Sequence, residues 1–502
     1  MTGTVFVAFY VMVGAYLLLV CGIGLYNYRR ASTEEGFFAA GRSLGPIVGG
    51  ATLMANQVSA GATIGIVGFH YFSGFSYAWT WPLVWIGWVV AALFVAPRIR
   101  RIAGLTLPDY FAARFESKGA RAISAVFVLV VYAMMLSAQY QAGGLLFGLV
   151  GGISYVNAVL LVAGITTLYT VLGGMYSNAY VGVLKAVLLI GSYALAVPYL
   201  IAHVGGVHAI GEALVALDPR LTANWFGWRQ LLAISMAIGL GLAASPYEIS
   251  AFYSMQSRRA ARLAIGWSFL FQACVGVGVL IFGLSMRVAM PQLPSPDLAT
   301  PVLGMSVLPP WIGLLVLLAA VVTFTRTGGA ILLTVASAVS HDIYAELLRP
   351  AASEREKVLA SRIAVVTFSV IPVALAFRQL DLVNFIVIWA AKLMVSFLFV
   401  PVIVGLNWKR ATRAGAISSM LGGMATCLIW SRFGSPYLLA LDPAEAGVLV
   451  SALLMFAVSL TTTPASRATV ETFFGAVPTR ADGPTRADGP TRDRGRGPLG
   501  ST

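Results

Sequence analysis

The chain of 502 residues is 59% hydrophobic and only 10% charged, with a formal net charge of +14. Soluble domains carry about 25% charged residues, so a soluble globular protein is excluded and an integral membrane chain is implied. The positive charge does not point to nucleic acid, because the basic residues fall in alternate short loops between apolar runs, the pattern of the positive-inside rule. Cys21, Cys274 and Cys427 lie in apolar runs and the four histidines are scattered. They offer no disulfide framework, metal-ligand spacing or catalytic constellation, so no enzyme is expected.

The apolar runs are roughly 18 to 25 residues long, the length of membrane helices rather than barrel strands. Thirteen spans are expected. The first, Val5 to Leu25, has no basic leader and precedes Arg29 and Arg30, which reads as an anchor with its N-terminus outside. The second covers Gly45 to His70 and is crowded with glycine. The third, Tyr77 to Pro97, ends on Arg98, Arg100 and Arg101. An amphipathic stretch from Leu107 to Ala122 follows at the cytoplasmic face. Spans four to six lie near Ile123–Val150, Tyr155–Leu172 and Tyr180–Ile201, and span seven, Gln230 to Ser250, carries Gly239, Gly241 and Pro246. Span eight is near Gly266–Met286 and span nine runs from Trp311 to Ser340. Spans ten to thirteen lie near Ile363–Ala376, Leu382–Val404, Gly415–Ile429 and Ala446–Leu460. Spans two and seven, five apart, both have the Gly/Pro interruptions that mark a transporter site built on inverted repeats. With this count, 25 of the 33 Lys and Arg fall in cytoplasmic loops or the tail and five fall outside, which orients the chain N-out and C-in. The tail repeats PTRADG at Pro478 and Pro484 and is expected to be disordered.

Three cations lie inside spans: Lys185 in span six, Arg326 in span nine and Lys392 in span eleven, against one acid, Glu248 in span seven. A charge in the bilayer is costly unless it is paired or faces a cavity. Lys185 either snorkels to the interface or serves as a coupling residue. Lys392, with Trp389 on a similar face, either faces the solute or pairs with Glu248. The surplus positive charge suits an anionic solute, a carboxylate above all. Gln57, Ser59 and Gln139 are polar candidates for the solute lining or for helix packing. Phe69 and Tyr71 stand where they pack or close the outer end.

Several stretches together resemble the sodium:solute symporter family: FFAAGRSLGP (37–46), ANQVSAGATIG (55–65), LTLPDYFAARF (105–115), SAQYQAGGLLF (137–147), YTVLGGMYSNAY (169–180), HDIY (341–344) and GLNWKRATRAGAISSMLGG (405–423). The resemblance implies an all-α integral membrane protein with a LeuT-type core of two five-helix inverted repeats, about 44–202 and 228–408. An extra helix at 1–30 precedes the core, two helices at 413–463 follow it, and a tail occupies 464–502. It also implies alternating access, a small-molecule solute and a lipid bilayer as the partners, no organic cofactor, and sodium or a proton as the coupling ion.

By the same resemblance, a sodium site would join spans two and nine through the carbonyls of Ala55, Val58 and Thr323 and two adjacent hydroxyls. The second hydroxyl position is Thr327; the first is Arg326. Arginine has no lone pair for a metal. A guanidinium about 4 Å from sodium, at an effective dielectric near 20, would repel it by roughly 4 kcal/mol. Arg326 is therefore expected to stand in for sodium. After GGM, Gly182 and Lys185 replace the Asp and Gln common in the family, so an anion is lost and a cation added. The expectation is a sodium-independent solute transporter in the cell membrane. The alternatives are a conventional sodium-coupled symporter and a transporter-like sensor; the residues after Thr463 are too few for the signalling domain such sensors carry.

Overall fold

The structure, a computed structural model, describes residues 3–99, 101–102, 104–379, 381–434 and 441–475. The sequence repeats of the tail and Arg100 lie outside the described residues. The principal helices are α1 (Gly3–Asn27), α2 (Glu34–Ala39), α3 (Pro46–Gln57), α4 (Val67–Ser73), α5 (Trp81–Val90), α6 (Leu107–Phe115), α7 (Lys118–Gly151), α8 (Tyr155–Val204) and α9 (Gly227–Ala243). They continue with α10 (Pro246–Ser254), α11 (Arg258–Ala289), α12 (Pro310–Ser337), α13 (Glu354–Phe368), α14 (Val370–Phe377), α15 (Val383–Met394), α16 (Val400–Asn407), α17 (Arg413–Phe433) and α18 (Pro443–Thr461). No strand occurs among the described residues.

Among the described residues, eleven segments are long and apolar enough to cross a membrane, so the expected thirteen spans are not reproduced as separate helices. The difference lies in two merges. Tyr155–Val204 is one helix of 50 residues, about 75 Å at 1.5 Å per residue, against a hydrocarbon core of about 30 Å. It bends at Gly174, whose φ is 53° and whose ψ is −145°. A Cβ there would lie 2.6 Å from the Phe37 carbonyl oxygen, so both the backbone angle and the close approach demand glycine. Gly61–Ile99 likewise runs on through a tight 3-10 stretch at Gly74–Thr80.

Local signals explain the ends that position the site. Pro46 and Pro246 each open a helix, where a missing N–H costs nothing. Thr106 with Asp109, Ser353 with Glu356 and Asp442 with Glu445 form capping boxes. Two spans are broken. α3 stops at Gln57, Val58 leaves the helical region at ψ 84°, and a π-helical turn at Gly61–Ile66 leads into α4. α9 stops at Ala243 and α10 restarts at Pro246. α12 forms the axis of the bundle and is buried continuously from Val316 to Ser337. It carries Tyr16 of α1 by a 2.7 Å hydroxyl contact to Thr325 and accepts Tyr169 of α8 on the Thr325 carbonyl at 2.7 Å.

One element departs from expectation. Residues 467–474, read as part of the disordered tail, form a helix. Buried Phe473 packs on Tyr110, and the Arg114 guanidinium lies over the rings of Phe473 and Phe474. Two aromatic residues in an otherwise polar stretch supply the apolar face that docks.

Candidate functional site

The break in α3 frees carbonyl groups that a continuous helix would use. The Lys185 ammonium fills this gap from α8. It donates to the carbonyls of Ala55, at 2.8 Å, and Val58, and to the Thr327 hydroxyl at 3.1 Å. Thr327 in turn donates to the Ala55 carbonyl at 3.0 Å. Lys185 is fully buried, and no salt bridge reaches it among the described residues. Snorkelling is therefore not what this side chain does. The three oxygens around it belong to residues that the resemblance assigned to sodium.

Arg326 is fully buried and points elsewhere. Its Nη1 donates to Asn56 Oδ1 at 2.5 Å, its Nε to the Asn178 carbonyl at 3.2 Å and its Nη2 to the Thr52 carbonyl at 3.3 Å. The expectation that its guanidinium occupies the cation position is corrected: the occupant is an ammonium one helix away. The Thr323 hydroxyl donates to Ala319 within its own helix at 2.7 Å. Gly182 explains how Arg326 fits. A Cβ at 182 would meet Arg326 Nε at 3.3 Å, the Ala55 Cβ at 3.4 Å and Arg326 Nη2 at 3.5 Å. The two departures on α8 and the one on α12 thus form a single packed group.

A cavity of about 120 Å³ opens beside this group, lined by Gln57, Val58, Tyr77, Thr80, Trp81, Trp85 and Gln272 among others. Phe69 packs against Tyr77, Phe226 and Phe385 at centroid distances of 4.8 to 5.9 Å. Of the residues expected to bind solute, Gln57 lines this cavity. Gln139 instead braces the break, accepting from the Ala60 N–H at 2.9 Å, and Ser59 accepts from the Gly61 N–H at 3.1 Å. Glu248 faces a separate dry gap that shares Gln57, Val84 and Leu242 with the cavity. Lys392 does not reach Glu248: its ammonium pairs with Asp442 at 2.7 Å and sits 5.2 Å from the Trp389 ring centre. The sequence reasoning missed Tyr77, Thr80, Trp81, Trp85 and Gln272. The signal was present in FSYAWTWPLVW (75–85), where Trp81 and Trp85 are one turn apart, and in a glutamine inside an apolar span.

At the basic end, His341 stands between two carboxylates, 2.8 Å from Glu34 and 3.0 Å from Asp109. Arg121 reaches Asp109 at 3.0 Å, Asp342 at 3.6 Å and Glu346 at 3.4 Å. Burial alone would raise the Asp109 carboxyl, but hydrogen bonds from His341 and the Leu105 N–H, together with the His341 and Arg121 charges, push it down to about 2. Asp109, His341 and Asp342 are close enough to share a metal ion. Arg121 lies against both carboxylates of that group, and its cationic fork disfavours a second cation there.

A buried, broken-helix core with a cation held between two spans and a small cavity beside it defines a membrane transporter for a small-molecule solute. The comparisons agree. The sodium:solute symporter family model matches residues 37–423, and the chain belongs to that family. It is 30% identical to the sodium/proline symporter of Escherichia coli (strain K12) over 88% of this chain and 91% of that protein. It is 29% identical to the high-affinity proline transporter PutP of Bacillus subtilis (strain 168) over 90% of this chain and 98% of that one. Among solved structures, a Na⁺-coupled sialic acid symporter aligns with a TM-score of 0.81 at 17% identity, over 91% of this chain and 98% of that one. Mhp1, a nucleobase-cation-symport-1 family transporter, aligns at 0.56 and 14%, over 87% of this chain and 97% of that one. These two likenesses establish the fold, which is of the LeuT type.

Proposed function

We propose that this protein carries a small carboxylate-bearing solute across the cell membrane by alternating access, N-terminus outside, and that sodium is not its coupling ion. The observation behind the sodium-independent reading is the Lys185 ammonium on Ala55, Val58 and Thr327. Sodium needs those oxygens, and a lysine ammonium carries three donors and no acceptor. The tethered nitrogen occupies the place that a bound ion would fill only when present.

The cavity supports a compact solute. An engineered cavity of about 150 Å³ in another protein takes benzene, so about 120 Å³ suits a solute of only a few heavy atoms. The charge balance supports a carboxylate, less strongly than the sequence alone. Asp442 neutralises Lys392, which leaves Lys185 and Arg326 against Glu248. Two relatives named for proline make L-proline the first compound to try, followed by small monocarboxylates such as L-lactate.

The test is uptake by the purified protein in liposomes, with sodium and proton gradients imposed separately. Uptake unchanged when sodium is replaced by potassium supports the reading. Uptake that requires sodium at fixed pH overturns it and restores the conventional symporter.

A further inference from the structure

We propose that Glu248 is the proton-binding site that couples this transporter to a proton gradient; this rests on the reading that the solute is carboxylate-bearing. Glu248 is 1% exposed and sits on the first turn of α10, immediately after the break at Ala244–Ser245. Neither of its carboxylate oxygens makes a hydrogen bond of ordinary geometry among the described residues; the Asn56 and Gln57 side chains are the neutral groups that act on it. An ionised carboxylate so poorly hydrogen-bonded in a buried interior is among the costliest groups a membrane protein can hold.

Asn56 and Gln57 of α3 act on it through their side chains, and the Arg326 guanidinium of α12 acts on it through its charge. The Arg326 nitrogens are committed to Asn56, Asn178 and Thr52. Tyr247 lies beside it in the chain, stacked on Tyr132 of α7, whose hydroxyl accepts from the Tyr247 N–H at 3.0 Å. Lys185 of α8 spends its ammonium on Ala55, Val58 and Thr327. Trp88 and Phe252 complete an apolar wall.

Position supplies the coupling. The gap in front of Glu248 shares Gln57, Val84 and Leu242 with the solute cavity. A solute carboxylate there would be repelled by an ionised Glu248 through low-dielectric surroundings, and protonation removes the repulsion. Solute and proton therefore favour each other's binding, and linkage makes the effect reciprocal. In the outward-open state an O–H bond forms at Glu248 with a proton from hydronium. In the inward-open state it breaks, with the proton passing to water. The break beside Glu248 is where α9 and α10 can tilt separately and expose it to each side in turn.

The experiment uses the full-length protein and Glu248→Gln. The acid-minus-alkaline infrared difference spectrum of the wild type should carry the carbonyl stretch of a buried carboxylic acid, absent in E248Q. If E248Q does not survive purification, E248D is used, and the band should move rather than vanish. Identical spectra in wild type and variants overturn the proposal. In liposomes loaded with pyranine, adding L-proline or L-lactate outside should acidify the lumen for the wild type. E248Q should lose that signal at least tenfold while keeping solute counterflow. Acidification that persists in E248Q overturns the proposal; a sodium requirement in the wild type overturns the proposed function and leaves the infrared result to decide on Glu248.

Discussion

Two lysines lie in apolar spans of this chain, and they find different solutions. Lys392 on α15 meets a carboxylate, Asp442, at 2.7 Å and keeps 14% of its side chain exposed. Lys185 on α8 meets no carboxylate among the described residues, is fully buried, and rests on two carbonyls and a hydroxyl. A lysine with an ion-pair partner near the surface is a tether. A lysine bonded only to neutral oxygens sits, on the function proposed above, where a bound cation would sit. Composition treats the two alike; the nature of the partner separates them.

The strongest way to break this comparison is to remove the Lys185 ammonium. Lys185→Ala should free the Ala55, Val58 and Thr327 oxygens for sodium. Thermal unfolding in detergent should then respond to sodium over potassium, by about 1.4 to 2.7 kcal/mol at ten to a hundred times the dissociation constant. The wild type should show no such preference. Uptake by the variant should become sodium-stimulated. A variant that transports like the wild type and ignores sodium would mean that the ammonium has no share in transport.

A second, smaller effect belongs to the basic end. Asp109 has its carboxyl held down at about 2, against an ordinary 3.8. A depressed carboxyl contributes stability that is complete above its unfolded-state value and is lost as pH falls through the folded one. Asp109 should therefore contribute about 2 kcal/mol near neutrality, fading between about pH 3.8 and pH 2. Asp109→Asn should remove this contribution at neutral pH and flatten the acid limb of the stability curve, read by unfolding across that range. An unchanged acid limb would show that His341 and Arg121 do not hold this carboxylate.

Gly182→Ala probes the packing that turns Arg326 away from the cation position. A new Cβ at 3.3 to 3.5 Å from the guanidinium should cost roughly 1 to 2 kcal/mol, as overpacking does. The cost should shrink by at least about 0.5 kcal/mol when combined with Arg326→Met, because the two residues touch. Strict additivity in thermal unfolding would show that Gly182 is unrelated to Arg326.

These tests also mark what the sequence made legible. The two broken spans could be read because glycine and proline punctuate the backbone locally, and so could the oxygen set around Ala55, Val58 and Thr327, through motif resemblance. The occupant of that set could not. Arg326 and Lys185 lie on different helices, and which of them reaches the Ala55 carbonyl depends on rotamer and helix packing, fixed by contacts such as Gly182 against the guanidinium. The partner of Lys392 was hidden for a related reason. Asp442 lies 50 positions away and reads locally as a helix cap, a role it also fills. The aromatic cavity wall was missed because tryptophan and tyrosine in an apolar run look like ordinary membrane packing.

The smallest effect sharpens the comparison from its other side. If Lys392 is only a tether, Lys392→Met should leave both the uptake rate and its indifference to sodium within about twofold of the wild type. Its ion pair is partly exposed, at 14% and 22% for the two side chains, so its loss should cost about 1 kcal/mol or less. Asp442→Ala should cost more, because Asp442 also accepts the Ala444 N–H at 2.9 Å as the cap of α18, a role worth about 1 kcal/mol by itself. Unfolding of the two variants side by side reads that difference. A Lys392→Met protein that lost uptake without losing stability would place this lysine on the solute path and dissolve the distinction between the two.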